Sequence, residues 1–77
     1  MTNKEMILNV LKDGGCATGF QIKGLVYRKY GAEISPQSAA GVMRPLVAQG
    51  MAAKSPDPIS GKMVYWLTDY GKEHLFK

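Results

Sequence analysis

The apolar positions of the chain follow a helical period in its first two thirds and a strand period near its end. The first amphipathic segment carries an apolar stripe formed by Met6, Ile7, Val10 and Leu11. Thr2 and Glu5 precede this stripe with capping-box spacing, in which each side chain accepts a hydrogen bond from a free amide at a helix start. Asp13-Gly14-Gly15 follows, and glycine readily adopts the left-handed conformation that ends many helices. The pattern therefore predicts a first helix of roughly ten residues.

A second helix is predicted to begin after Thr18, which has Gln21 three positions later as its capping-box partner, and to end at Gly31. Its apolar positions are Phe20, Ile22, Leu25, Val26 and Tyr30. Gly24 costs a helix interior about 1 kcal/mol relative to alanine, so we expect it to mark close packing against another element. Residues 32–34 form either one short strand or a connecting turn.

The third helix is predicted over residues 36–49. Ser35 is a favourable N-cap, and Pro36 occupies the first helical position, where a missing N–H costs nothing. Pro45 lies inside this helix, where it removes one hydrogen bond and pushes its ring toward the carbonyl of Gly41. Because the glycine backbone can bend away, we favour a helix that kinks and continues over one that stops near Met43.

The last third of the chain predicts a β-hairpin followed by a short helix over residues 69–77. Strands are expected at 51–55 and 62–68, because the six residues between them include two prolines and a glycine, which favour a turn. Alternation along the second strand places Met63, Tyr65 and Leu67 on one face and Lys62, Val64, Trp66 and Thr68 on the other. At 77 residues the chain is long enough for one small domain, expected to span 1–77.

Composition narrows the class of protein. The net charge is +4, and the whole excess lies within residues 23–62, whereas the two ends are balanced. A localised excess suggests a polyanionic partner, although small basic domains also carry such charge for solubility. No apolar run approaches the roughly 18 residues that span a bilayer, and no secretory signal opens the chain. We therefore expect a cytoplasmic protein that makes no use of a membrane.

The residues that usually carry chemistry are sparse. One cysteine excludes an internal disulfide, and one cysteine with one histidine cannot complete a tetrahedral zinc site. The most economical interpretation makes Cys16 a small, partly buried turn residue and His74 a surface or boundary residue. No catalytic Ser/His/Asp or Cys/His set, P-loop or dinucleotide fingerprint is present. We expect no enzymatic activity, no metal and no cofactor.

The order of helix, helix, helix, hairpin and short helix resembles the winged helix-turn-helix domain of PadR-type and MarR-type repressors. Residues 18–22 (Thr-Gly-Phe-Gln-Ile) are similar to the start of the second helix in PadR-type proteins. Residues 35–38 (Ser-Pro-Gln-Ser), with Met43, Leu46, Gly50 and Met51, resemble the recognition helix and its exit into the wing. Residues 62–75 resemble the second wing strand and its Leu-Thr-x-x-Gly turn. The resemblance covers nearly the whole chain and implies an α+β fold with a two- or three-stranded antiparallel wing.

This resemblance implies a small transcriptional regulator that binds double-stranded DNA. Helix 36–49 would enter the major groove, and the wing, about 51–68, would follow the backbone. The residues expected to contact DNA are Gln37, Ser38, Arg44, Lys54, Lys62 and Arg28. Several have structural alternatives. Gln37 and Ser38 could simply be first-turn polar residues, the two lysines could be solvated, and Arg28 could serve the carbonyl end of the second helix.

The alternative function is a protein–protein interaction module on the same fold, without sequence-specific DNA binding. Val64 and Trp66 could anchor a protein partner, or they could pack beneath the terminal helix or against the first helix. The small residues Ala39, Ala40 and Gly41 are also unusual for a base-reading helix. Because a single module of this charge binds DNA weakly at physiological salt, we expect either a homodimer on paired half-sites or a protein partner.

Overall fold

A computed structural model describes residues 2–12 and 15–76 of the chain. Its elements are helices α1 (Asn3–Leu11), α2 (Gly19–Tyr30), α3 (Pro36–Ala48) and α4 (Asp69–Leu75) and strands β1 (Ala17–Thr18), β2 (Ala52–Pro56) and β3 (Met63–Leu67). The strands form one antiparallel sheet in the order β1-β3-β2. The predicted α+β class and the order of helices and hairpin are therefore confirmed, with a three-stranded sheet.

Both predicted capping boxes are present. The Glu5 amide donates to Thr2 Oγ1 at 3.2 Å, and the Thr2 amide donates to Glu5 Oε1 at 3.0 Å. At the start of α2, the same exchange joins Gln21 to Thr18 Oγ1 at 3.2 Å and Thr18 to Gln21 Oε1 at 2.8 Å. Gly31 ends α2 with φ of +67°, as its position predicts. The predicted stop of α1 falls partly on residues 13 and 14, which lie outside the described residues.

Helix α3 continues through Pro45 to Ala48, so the prediction that it does not stop near Met43 is confirmed. Ser35 caps its amino end by accepting a hydrogen bond from the Ser38 amide at 3.1 Å. Beyond Pro45 the helical bonding resumes, since the Gln49 amide donates to the Pro45 carbonyl at 3.0 Å.

The core lies where the first three helices meet the inner face of the sheet. Its largest fully buried side chains are Ile7, Leu11, Ile22, Val26 and Met43. Leu67 of β3 is also buried, and Tyr65 packs against the same cluster. Val64 and Trp66 are half-buried residues outside this cluster. The predicted alternation along β3 is therefore confirmed for these four residues.

Fewer apolar residues of α2 are buried than its sequence pattern predicts. Phe20 is 62% exposed and Leu25 is 37% exposed, whereas Ile22 and Val26 are buried. Two positions along a helix correspond to a rotation of about 200°, so Phe20 and Ile22 cannot both face the core. The narrower buried stripe leaves Phe20 free for another role.

The prediction that Gly24 marks close packing is wrong. Gly24 is exposed, and a Cβ atom added there would meet no atom within 4 Å. The helix thus carries the conformational cost of glycine with no packing gain.

We expect Gly24→Ala to raise the free energy of unfolding by about 0.5–1 kcal/mol, measured by urea denaturation. A loss of stability would mean that this face of α2 is covered in solution.

The third strand does not come from residues 32–34, which form an irregular connection with Ile34 buried. It is the two-residue β1, where Ala17 pairs with Tyr65 and Thr18 pairs with Val64. Two residues are too few to show a strand period, and Thr18 was already explained as a helix cap. Cys16, next to β1, is exposed, so its assignment as partly buried is wrong.

The Leu-Thr-x-x-Gly turn attaches the end of β3 to the end of α3. Thr68 donates its backbone amide to the Met51 carbonyl at 3.1 Å and its hydroxyl to the Gly50 carbonyl at 2.8 Å. The same hydroxyl oxygen caps α4 by accepting the Gly71 amide at 3.0 Å. Gly71 is buried against this joint, and a Cβ atom there would overlap the Met51 carbonyl. The turn therefore fixes the wing relative to α3.

Candidate nucleic-acid interface

Helix α3 divides cleanly into a buried and an exposed side. Ala39, Met43 and Leu46 enter the core. The exposed residues are Gln37, Ser38, Gly41, Arg44, Pro45 and Ala48. Gln37 and Arg44 are seven residues apart, which places them on one face about 10 Å apart along the axis. That interval equals roughly three base-pair steps, with the side-chain-free Gly41 between them.

Ser38 belongs to the capping network as well as to the exposed face. The Ser35 hydroxyl donates to Ser38 Oγ at 3.0 Å and accepts the Ser38 amide at 3.1 Å. The Ser38 hydroxyl proton remains available to an external acceptor, because this oxygen acts as acceptor toward Ser35. Ser38 can therefore combine its capping role with a contact to a base or phosphate.

The two wing lysines occupy different levels of the hairpin. Lys54 lies opposite Tyr65 on the ladder, and the Lys62 carbonyl accepts the Asp57 amide at 2.8 Å. Lys54 is therefore three ladder positions from the partner of Lys62, or about 10 Å. Since directly opposed residues share a sheet face, Lys54 lies on the same face as Tyr65. The lysines mark two points along the wing rather than one paired site.

The wing turn is ordered by Asp57. Its carboxylate accepts the Ile59 amide at 3.0 Å and the Ser60 hydroxyl at 2.9 Å. These two hydrogen bonds lower the pKa of Asp57 below its ordinary value, and the bond from the Ile59 amide has the larger effect. The ionised form therefore predominates at neutral pH, and the stabilisation it brings is lost as pH falls through the lowered pKa. Ile59, at the tip, is 95% exposed.

A shallow cleft separates the amino end of α3 from the wing. Pro36 and Ala40 line its α3 side, Met63 and Tyr65 line its wing side, and Phe20 of α2 contributes to its lining as well. Lys62 also lines the cleft, with Nζ 4.9 Å from the centroid of the Phe20 ring. The apolar pattern of α2 assigned Phe20 to the core, so its place in this cleft was not predicted. The rotation of about 200° between Phe20 and Ile22 could have shown that the two residues face opposite sides of the helix.

Arg28 lies on another part of the surface. It is exposed at the end of α2 and lines depressions with Gln21, with Leu25 and with Val10 of α1. None of the residues lining these depressions comes from α3. The structure thus brings Gln37, Ser38 and Arg44 together on α3 without placing Arg28 among them.

Val64 and Trp66 lie on the sheet face that turns away from the core. Trp66 is opposite Ala53, and Val64 is opposite Ser55 on one side and Thr18 on the other. Both line a broad depression bounded by the β1 end and the wing turn. The sheet therefore separates this apolar face from the face that carries Tyr65.

Two kinds of site are absent from residues 2–12 and 15–76. No group of three His, Cys, Asp or Glu residues within them is arranged to hold a metal ion. Nor is any helix in the same ranges long and apolar enough to cross a membrane.

Helices α2 and α3, joined by a short irregular connection and followed by the β2-β3 hairpin, define a winged helix-turn-helix fold. The fold is shared with PadR of Bacillus subtilis, solved in complex with operator DNA. The TM-score is 0.75 at 23% identity, over 94% of this chain and 43% of that one. It is also shared with the adhesin competence repressor AdcR of Streptococcus pyogenes, with a TM-score of 0.69 at 20% identity, over 95% of this chain and 51% of that one.

The chain therefore spans about half the length of these two solved proteins, or less. At such identities the likeness shows a common fold, and it confirms the fold implied by the PadR-type sequence resemblance. No protein-family model matches the sequence, and no curated protein matches it.

Proposed function

We propose that this protein is a small transcriptional regulator that binds double-stranded DNA through α3 and the wing. The observation that carries the proposal is the exposed face of α3, with Gln37 and Arg44 two turns apart and Lys62 of the wing lining the cleft beside its amino end. Support also comes from the fold shared with PadR, which was solved in complex with operator DNA.

In this proposal α3 reads bases and the wing holds the backbone. Glutamine pairs bidentately with adenine N6 and N7, and arginine pairs with guanine O6 and N7, so Gln37 and Arg44 are the readers. Gly41 allows the helix to approach the DNA closely. The Ser38 hydroxyl donates a hydrogen bond to a base or a phosphate. Lys54 and Lys62 contact phosphates at two points along the wing. Arg28 is left in its structural role, where its charge favours the carbonyl end of α2.

The proposal predicts a measurable salt dependence. Two phosphate contacts, from Lys54 and Lys62, correspond to a slope of about −1.8 in log K against log salt. Affinity would therefore fall about twelve-fold between 50 and 200 mM salt. Fluorescence anisotropy with a labelled duplex measures this slope. A flat response across that range would contradict the phosphate contacts.

A binding selection against random duplexes tests sequence-specific recognition. One such module binds weakly at physiological salt, so we propose that it acts as a homodimer on paired half-sites or with a protein partner. Enrichment of one motif would support specificity, and the spacing between two repeats of it would identify a dimer. Recovery of random sequences at low salt, with no enrichment, would leave only non-specific binding.

A second candidate is a protein-interaction module, favoured by the half-buried Trp66 and Val64 on the sheet face away from the core. Apolar aromatic anchors of this kind dominate many interfaces. If the face mediates self-association, Trp66→Ala should shift the protein toward monomer in sedimentation velocity. Unchanged association, together with clear duplex binding, would argue against this candidate.

A further inference from the structure

A contact between Lys62 and Phe20 joins the wing to α2, a helix that makes no DNA contact in the proposed binding mode. Lys62 immediately precedes β3, and its Nζ lies 4.9 Å from the centroid of the Phe20 ring on α2. This distance is within the range of a cation–π contact. Both side chains line the cleft between α3 and the wing. The contact therefore lies beside the proposed DNA-binding face.

The exposure of Phe20 fits this role better than a role in packing. Phe20 is 62% exposed, whereas Ile22, two positions later, is fully buried. The phenylalanine side chain has no atom that can form a hydrogen bond with a phosphate. It does offer a negative ring face to a cation. An ammonium over that face keeps N–H donors for a second partner, since lysine has three.

We propose that Phe20 is a positioning residue, whose ring holds the Lys62 ammonium at the α3–wing cleft for contact with a DNA phosphate. The inference rests on the proposed function. A free lysine side chain loses considerable rotamer freedom when it is immobilised. The ring restricts Lys62 before DNA arrives, so less freedom is lost on binding, and it links the wing to α2 at the same time.

Substitutions at the two positions give a thermodynamic cycle. Phe20→Leu keeps an apolar side chain but removes the aromatic face, and it should weaken duplex binding about two- to five-fold, the size of an exposed cation–π contact. Lys62→Met should weaken binding and reduce the salt slope by about 0.9. In the Lys62→Met background, Phe20→Leu should have no further effect. Phe20→Tyr, which retains the ring, should bind like the parent.

Tyr27→Leu is the matched control, because it removes another exposed aromatic ring from the same helix. It should leave the affinity within two-fold of the parent. If Phe20→Leu weakens binding equally with and without Lys62, Phe20 does not act through that lysine and the proposal is overturned. Binding unchanged in Phe20→Leu, but weakened in Lys62→Met, would overturn it as well.

A readout without DNA separates this inference from the proposed function. The ring should shift the Lys62 ε-protons upfield in the proton NMR spectrum of the free protein, and Phe20→Leu should abolish that shift. An unshifted resonance in the parent would overturn the inference even if DNA binds. A shifted resonance in a protein that binds no duplex at low salt would instead overturn the proposed function, and with it the role assigned to Phe20.

Discussion

Gly71→Ala is expected to lower the free energy of unfolding by about 2–4 kcal/mol. The new methyl group would overlap the Met51 carbonyl, which belongs to the backbone and cannot move aside as a flexible side chain would. A domain of this size has a total stability of roughly 4–12 kcal/mol. The substitution would therefore remove a large share of it, as measured by urea denaturation followed by circular dichroism.

Gly24→Ala is the matched control for this substitution. It is the same chemical change in another helix, at a position where the added Cβ meets no atom within 4 Å. The two variants should therefore move stability in opposite directions. If Gly71→Ala changed the free energy of unfolding by less than about 0.5 kcal/mol, the range of ordinary surface substitutions, the close joint between α4 and the start of the wing would be disproved.

The joint at Gly71 also has a functional consequence. Thr68 bonds to both Gly50 and Met51, which lie in the three-residue connection between α3 and β2. Loosening this joint would free the wing to move relative to α3. A Gly71→Ala protein that still folds at low temperature should consequently bind DNA more weakly, although the substitution lies outside the proposed interface.

Arg44→Ala is expected to weaken specific DNA binding by about 1–3 kcal/mol and to relax the preference at one base position. Arg44 is exposed midway along α3, on the face it shares with Gln37. Its loss would remove a bidentate contact, so the effect should depend on the base at that position. Anisotropy titrations against the selected duplex and its single-base variants would measure it.

Arg28→Ala provides a control with the same change in charge and residue type. Arg28 lies away from the exposed face of α3, so its removal should cause a small loss that is equal for all duplexes. The assignment of Arg44 would be wrong if Arg44→Ala bound every duplex as the parent does. If both variants lost the same affinity for every duplex, Arg44 would contribute to binding only through its charge.

Local signals in the chain were sufficient to predict the helices and the hairpin. Thr2, Thr18 and Ser35 each cap a helix through hydrogen bonds to residues three positions away. The alternation of Tyr65 and Leu67 with Val64 and Trp66 similarly needs only the strand period. These features depend on neighbours in sequence, and for that reason the pattern of residues revealed them.

The errors came from contacts between segments that are distant in sequence. Strand β1 exists because Ala17 and Thr18 meet β3, and two residues alone show no period. Close packing of a glycine occurs at Gly71 rather than at Gly24, because Met51 passes beside Gly71. The contact between Phe20 and Lys62 likewise depends on where the wing lies relative to α2.

In the proposed function, DNA binds the face formed by α3 and the wing. A ¹⁵N-resolved NMR titration of the protein with the selected duplex examines this proposal, because it follows the amides of α3 and the side-chain indole N–H of Trp66 in a single experiment. We expect shifts at Gln37, Ser38, Arg44, Lys54 and Lys62, with Trp66 and Val64 little changed. Shifts concentrated at Trp66, Val64 and Cys16, with the amides of α3 unchanged, would contradict it.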